Sequence, residues 1–200
     1  MHKEQEYTLE EIEKILSFVI EIEKLKDVQR KTRPIGLERY ENSAEHSWHV
    51  CLCALMLKDY ANEKINIDRV IKMLLIHDLG EIDAGDTIIY ASETQELKSK
   101  EAAGLARILN ILPENKGEEY LMLWHEFESG ETADSKYAKA IDRVPPLLHN
   151  LHGEGHSWSE NNVPKDKVFS LNSRISEGSL KLWKVMEAKL EEAVINGILK

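Results

Sequence analysis

The chain has 200 residues, enough for one domain with a full core, and its 42% apolar content is that of an ordinary globular protein. A formal charge of -10 argues against a long nucleic acid as partner, which would call for a basic stripe, and no run approaches the roughly 18 apolar residues of a membrane span. The N-terminal MHKEQEYTLEE is charged and unlike a signal peptide, so a cytoplasmic setting is expected. Cys51 and Cys53 would diverge by roughly 200° on a helix and read as reduced core thiols.

In chain order, Thr8 and Glu11 form a capping box, and Ile12, Ile15, Leu16, Val19 and Ile22 then give a first core helix ending near Leu25. The following LKDVQRKTRPIGLERYENSAEH carries five basic residues (Lys26, Arg30, Lys31, Arg33, Arg39) with a Pro and a Gly. It reads as an irregular loop, either a solvated connector or a cationic cover for a site. Asn42 with Glu45 caps a second helix whose stripe is Val50, Cys53, Ala54 and Leu57. His46 falls in its first turn, and His49, on much the same face, competes for any role given to His46.

A third helix from about Asp68 carries Val70, Met73, Leu74 and Ile76 and ends in His77 and Asp78. Those two side chains lie about 100° apart around the axis, and Glu81 follows His77 one turn on, so three ligands or proton carriers share one helix end. The turn-rich IDAGDTIIYASET brings Gly85 and Asp86 directly after it. Further helices run from about Thr94 to Leu112, through Tyr120, Trp124 and Phe127 to Gly130, and from about Ser135 through Tyr137, Ile141 and Val144. Pro145 and Pro146 predict a backbone kink beside Asp142. A polar loop with His152, Gly153, Gly155 and His156 leads to a last helix, about 173–196, with Ile175, Trp183, Met186, Leu190 and Val194. No strand-like alternation and no repeat occur, so the class is all-α.

The helical segments thus offer His46, then His77 and Asp78, then Asp142. Two imidazoles and two carboxylates suit a borderline divalent ion with positions left open for water and substrate. His125 on its apolar helix reads as structural, and His149, His152 and His156 lack a helical pattern that would orient them as a second metal site. Trp183 and Met186 suit a core or a dimer seam.

These segments, ENSAEHSW, LLIHDLGEIDAGD, LWHEFESGETADSKYAKAIDRVPPLL and the upstream LKDVQR, resemble the HD-domain superfamily of metal-dependent phosphohydrolases over roughly residues 10–190. The likeness is strongest to its 5'-deoxyribonucleotidase-like branch. It implies a single HD-type helical bundle over residues 1–200, with core motifs at about 30–150 and the C-terminal helix packing on the core or on a dimer partner. It also implies one divalent metal ion (Mn, Co, Fe, Ni, Zn or Mg) on His46, His77, Asp78 and Asp142. By the same likeness, Glu81 lies beside the reactive water, Asp86 helps shape the substrate site and Arg30 faces the phosphate; Arg33 is taken as a second cation because a net charge of -10 needs local cations near a phosphate. Deoxyribonucleotidases place a tryptophan directly after that arginine, whereas this chain has Lys31, which puts strict 2'-deoxy selectivity in doubt.

The expected protein is therefore a 5'-nucleotidase releasing phosphate from (deoxy)nucleoside monophosphates, a homodimer with a small nucleotide as its partner. The alternatives are a pyrophosphohydrolase or phosphodiesterase, or a non-catalytic nucleotide-binding regulatory module.

Overall fold

The structure, a computed structural model, describes residues 9–91 and 94–200 and is all-α. An isolated antiparallel bridge between Gln29 and Asn42 is the extended pairing among the described residues. Helix α1 spans Leu9–Ile22; its expected cap at Thr8 lies outside the described residues. As a core helix, α1 needs correction. Ile12, Leu16 and Val19 are 45%, 56% and 47% exposed, while Ile15, Phe18 and Ile22 lean on the core and Leu25, in the 3-10 turn Glu23–Asp27, enters it. The helix is apolar on two sides, and its periodicity alone cannot say which side the bundle takes.

The segment after Val28 is pinned in place. Arg30 N–H donates to the Glu41 carbonyl at 2.8 Å, Glu41 N–H to that of Thr32 at 2.9 Å, and Ser43 N–H to that of Val28 at 3.0 Å. These bonds fold the basic stretch into a tight loop that delivers Arg30 and Glu41 inward. Helix α2, Ser43–Leu57, starts at the expected capping box of Asn42 and Glu45. Helix α3, Ile67–Ile76, buries Val70, Met73, Leu74 and Ile76 in a core shared with Val50, Ala54, Leu105, Ile108, Tyr137 and Ile141. Tyr137 Oη donates to the Ala54 carbonyl at 3.0 Å, so the largest buried phenol is also satisfied.

Two helix breaks position the chemistry. The third helix, expected to end in His77 and Asp78, stops at Ile76 with His77 as its C-cap. A tight turn follows, with Leu79 N–H on the Ile76 carbonyl and Glu81 N–H on that of Asp78, before the short helix α4, Glu81–Ala84. Helix α5, Gln95–Leu109, packs against α4, and α6, Glu114–Ser129, packs on α3 and is ended by Gly130 in the left-handed region at φ 63°. At the second break, α7, Ala133–Asp142, gives way at Arg143 to α8, Val144–His152, whose Pro145 and Pro146 sit in its first turn, where their missing N–H groups cost nothing.

The last quarter of the chain departs furthest from expectation. Short helices α9, His156–Glu160, α10, Lys165–Asn172, and α11, Ile175–Gly178, precede α12, Leu180–Ile195, so the expected helix over about 173–196 is two, separated at Ser179. They enclose a second core of Tyr90, Leu147, Trp158, Val168, Ile175, Trp183, Met186 and Leu190. Trp183 and Met186 are thereby core residues, 6% and 2% exposed.

Gly80 sits in the turn between Asp78 and Glu81, where an added Cβ would lie 2.4 Å from the backbone oxygen of Glu101 on α5. Backbone cannot step aside as a side chain can, so Gly80→Ala should cost roughly 1–3 kcal/mol, the usual range for overpacking. Chemical denaturation measures it, and an unchanged midpoint would show that α5 yields freely.

Candidate metal centre and substrate cavity

Asp142, the last residue of α7, meets the ends of α2 and α3. Its Oδ1 is 2.9 Å from His46 Nε2 and 3.3 Å from His77 Nε2, and His77 Nε2 is 3.1 Å from Asp78 Oδ1. Donor atoms held by one ion at about 2.1 Å lie about 3.0–3.4 Å apart, so these separations fit a single small cation. The ligand atoms of His46, His77 and Asp142 all fall within 4.8 Å of one another, and Asp78 joins through His77. His49 does not.

The protonation pattern also fits a metal. His77 Nδ1 lies 2.8 Å from the Leu74 carbonyl, which can only accept, so Nδ1 carries the hydrogen. In neutral His77 the lone pair of Nε2, buried and without a hydrogen-bond partner among the described residues, then faces two carboxylate oxygens. That arrangement is repulsive unless a proton or a metal ion lies between. Burial opposes charge on His77, but Asp78 and Asp142 outweigh it and raise its pKa to about 9. Burial likewise works against ionised Asp142, yet the hydrogen bond with His46 and the neighbouring His77 imidazole hold its carboxyl well below the ordinary range.

Arg30 organises the acids on the other side. Its Nη1 is 2.7 Å from Asp78 Oδ2, 3.6 Å from Asp86 and 3.8 Å from Glu81, and its Nε is 3.5 Å from Glu41. Desolvation is more than offset by these charges, so the guanidinium holds its proton more firmly than usual. Burial, followed by the charge of Asp78, raises Glu81 well above the ordinary carboxyl range; Arg30 opposes that shift, as does Ser43, whose hydroxyl donates to Glu81 Oε2 at 2.6 Å. Burial also raises Asp86.

A cavity of about 490 Å³ adjoins this cluster, lined by His77, Asp78, Glu81 and Asp142 and also by the cations Lys139, Arg143 and Arg174. Ile88, Ile89, Trp124 and Phe127 form apolar stretches of its wall. Arg143 Nη1 is buried and makes no hydrogen bond among the described residues, so it has donors to offer. The structure thus brings His46, His77, Asp78, Asp142, Glu81, Asp86 and Arg30 together. Arg33 is left out: it pairs with Glu38 at 3.6 Å, stacks over Tyr40 and lines a different cavity. Sequence reasoning passed over Ser43, Lys139, Arg143 and Arg174. The adjacency of Arg143 to Asp142 was the one signal available for any of them.

Comparison with known proteins points the same way. The sequence profile of the family described as HD domain matches residues 22–183. A solved structure from Magnetospirillum magnetotacticum, described as a predicted metal-dependent phosphohydrolase, is 44% identical with a TM-score of 0.90, covering 95% of this chain and 98% of its own. The 5'-deoxynucleotidase HDDC2 of Xenopus laevis is 31% identical over 119 residues, and that of Homo sapiens 28% over 114. These matches span 58% and 54% of the relatives' lengths and 59% and 56% of this chain.

Asp142→Asn and His77→Gln should each hold one divalent ion fewer per chain than the parent protein after dialysis against manganese, with unchanged far-UV circular dichroism. Elemental analysis decides it; both variants keeping the full complement would remove this cluster as a metal centre.

Proposed function

The chain belongs to the HD-domain family, and from that premise we propose that it is a metal-dependent phosphomonoesterase releasing phosphate from nucleoside 5'-monophosphates. The observation that carries this reading is the His46, His77, Asp78 and Asp142 cluster beside a cavity that Lys139, Arg143 and Arg174 also line. The HD fold implies a divalent metal, and the nitrogen and oxygen donors are suited to Mn, Fe, Co, Ni or Zn, with Mg a harder fit. When bound there, such an ion supplies Lewis acidity toward a phosphate oxygen and makes water a nucleophile near neutral pH.

The chain's own groups do the rest. Arg143, with Lys139 and Arg174, offsets the phosphate charge that a molecule of net charge -10 would otherwise repel. Arg30, already spanning Asp78, Asp86 and Glu81, holds the acids in position and faces the phosphate only from behind them. Glu81, whose pKa is raised by burial and the charge of Asp78, is the proton donor to the leaving 5'-oxygen, its carboxyl aimed by Ser43. Asp86 orients water or sugar beside it. The apolar wall around Ile88 and Phe127 receives the nucleoside and excludes water.

We take the substrate range to include both sugars, because Lys31 occupies the position after Arg30. The same reading takes residues 1–200 as one HD domain in a cytosolic homodimer. Among the described residues no helix is long and apolar enough to cross a membrane.

Phosphate release from a panel of deoxy- and ribonucleoside monophosphates tests the reading. Glu81→Ala should keep its metal and lose about 100-fold or more in turnover, a typical general acid-base contribution. Arg143→Ala should lower kcat/KM about 10- to 100-fold, the loss of one hydrogen bond to a charged group, again with metal retained. No phosphate from any monophosphate with any divalent ion would contradict the activity, and wild-type turnover in Glu81→Ala would contradict the mechanism alone.

A further inference from the structure

His49 and His149 belong to a second cluster. Ligand atoms of Glu41, His49 and His149 also lie within 4.8 Å of one another, although the three come from the basic loop, α2 and α8. Glu41 and His149 are 2% and 5% exposed, and His49 is half-buried. His149 Nδ1 is 3.3 Å from Thr32 Oγ1 and its Nε2 is 3.8 Å from Glu41 Oε1, so one ring nitrogen is anchored while the other faces the carboxylate. Glu41 Oε2 is buried without a hydrogen-bond partner among the described residues. That oxygen is turned toward Arg30 Nε at 3.5 Å and His46 Nδ1 at 3.4 Å, so it is Oε1 that faces His149 and is placed to ligate a cation there.

We propose that Glu41, His49 and His149 form a second divalent-cation site that takes a borderline transition ion such as zinc. Two imidazoles and one carboxylate are a donor set that such ions favour, and they leave positions for water. His149 lines a cavity of about 430 Å³, together with Thr32, Arg33 and Asn150, which gives the site an entry path and room for those waters. Closing the cluster onto an ion at about 2.1 Å requires the widest pair to draw in by about an ångström, a shift the half-buried His49 can supply by rotating. Anchoring of His149 by Thr32 corresponds to the outer contact that fixes a ligating imidazole.

This site is separate from the one at Asp142. The ring of His46 stands between them, with Nε2 toward Asp142 and Nδ1 3.4 Å from Glu41 Oε2. The two ions therefore do not form the pair about 3.5–4 Å apart that shares one substrate in two-metal hydrolases. Glu41 touches both neighbourhoods, so the second ion acts on the first through the orientation of His46.

Metal-free protein dialysed against zinc and analysed for bound metal should carry two ions per chain. His149→Gln and, independently, the less buried His49→Gln should each carry one, and Asp142→Asn should also carry one, held by the second site. A single ion in the wild type, or two ions retained in both histidine variants, would overturn the site. If the histidine variants drop to one while Asp142→Asn keeps two, the second site stands and the centre at Asp142 fails.

Discussion

Everything at this centre depends on an excess of buried negative charge. Asp78, Glu81, Asp86, Asp142 and Glu41 converge on one guanidinium, Arg30, and two imidazoles, His46 and His77. Ionised carboxylates taken out of water cost several kcal/mol each unless paired. The protein answers in two ways: burial and Asp78 push the Glu81 carboxyl well above the ordinary range, while His46 and His77 hold that of Asp142 well below it. A divalent cation held by His46, His77, Asp78 and Asp142 would supply the remaining positive charge, and the proposed activity rests on the same imbalance.

The helical scaffold contributes to that balance through its ends. His77 and Asp78 follow the C-terminus of α3, and Asp142 closes α7. The partial negative charge of both helix ends therefore points toward the cation position, a favourable effect confined to the last turn. The tight turn at Gly80 brings Glu81 back toward Asp78 without extending the helix, and the break at Arg143 lets the chain turn away so that Arg143 faces the cavity.

The sequence made the local features legible. Capping at Asn42, the apolar face of α3 and the stop at Gly130 are short-range signals, and each was readable from spacing alone. The order His46, His77 and Asp78, Asp142 was readable because a metal set has few alternatives in residue type. What spacing could not supply was three-dimensional pairing. Which face of α1 goes inward, whether His49 joins His46 or His149, and whether Arg33 reaches the acids all depend on contacts between segments distant in sequence. The stretch 153–178 was unreadable for a related reason. Its short helices α9 to α11 lack the length over which a helical period can be recognised, and their stability comes from packing around Trp158 and Ile175.

On the proposed reading one ion would sit at the Asp142 cluster, with the substrate phosphate between it and Arg143. Anomalous diffraction at the manganese edge, from crystals grown with manganese and a nucleoside monophosphate, tests it most directly. The expected result is a peak bounded by His46 Nε2, His77 Nε2, Asp78 and Asp142, with phosphate density in the cavity toward Arg143. Manganese found only elsewhere, or a nucleotide bound outside that cavity, would contradict it.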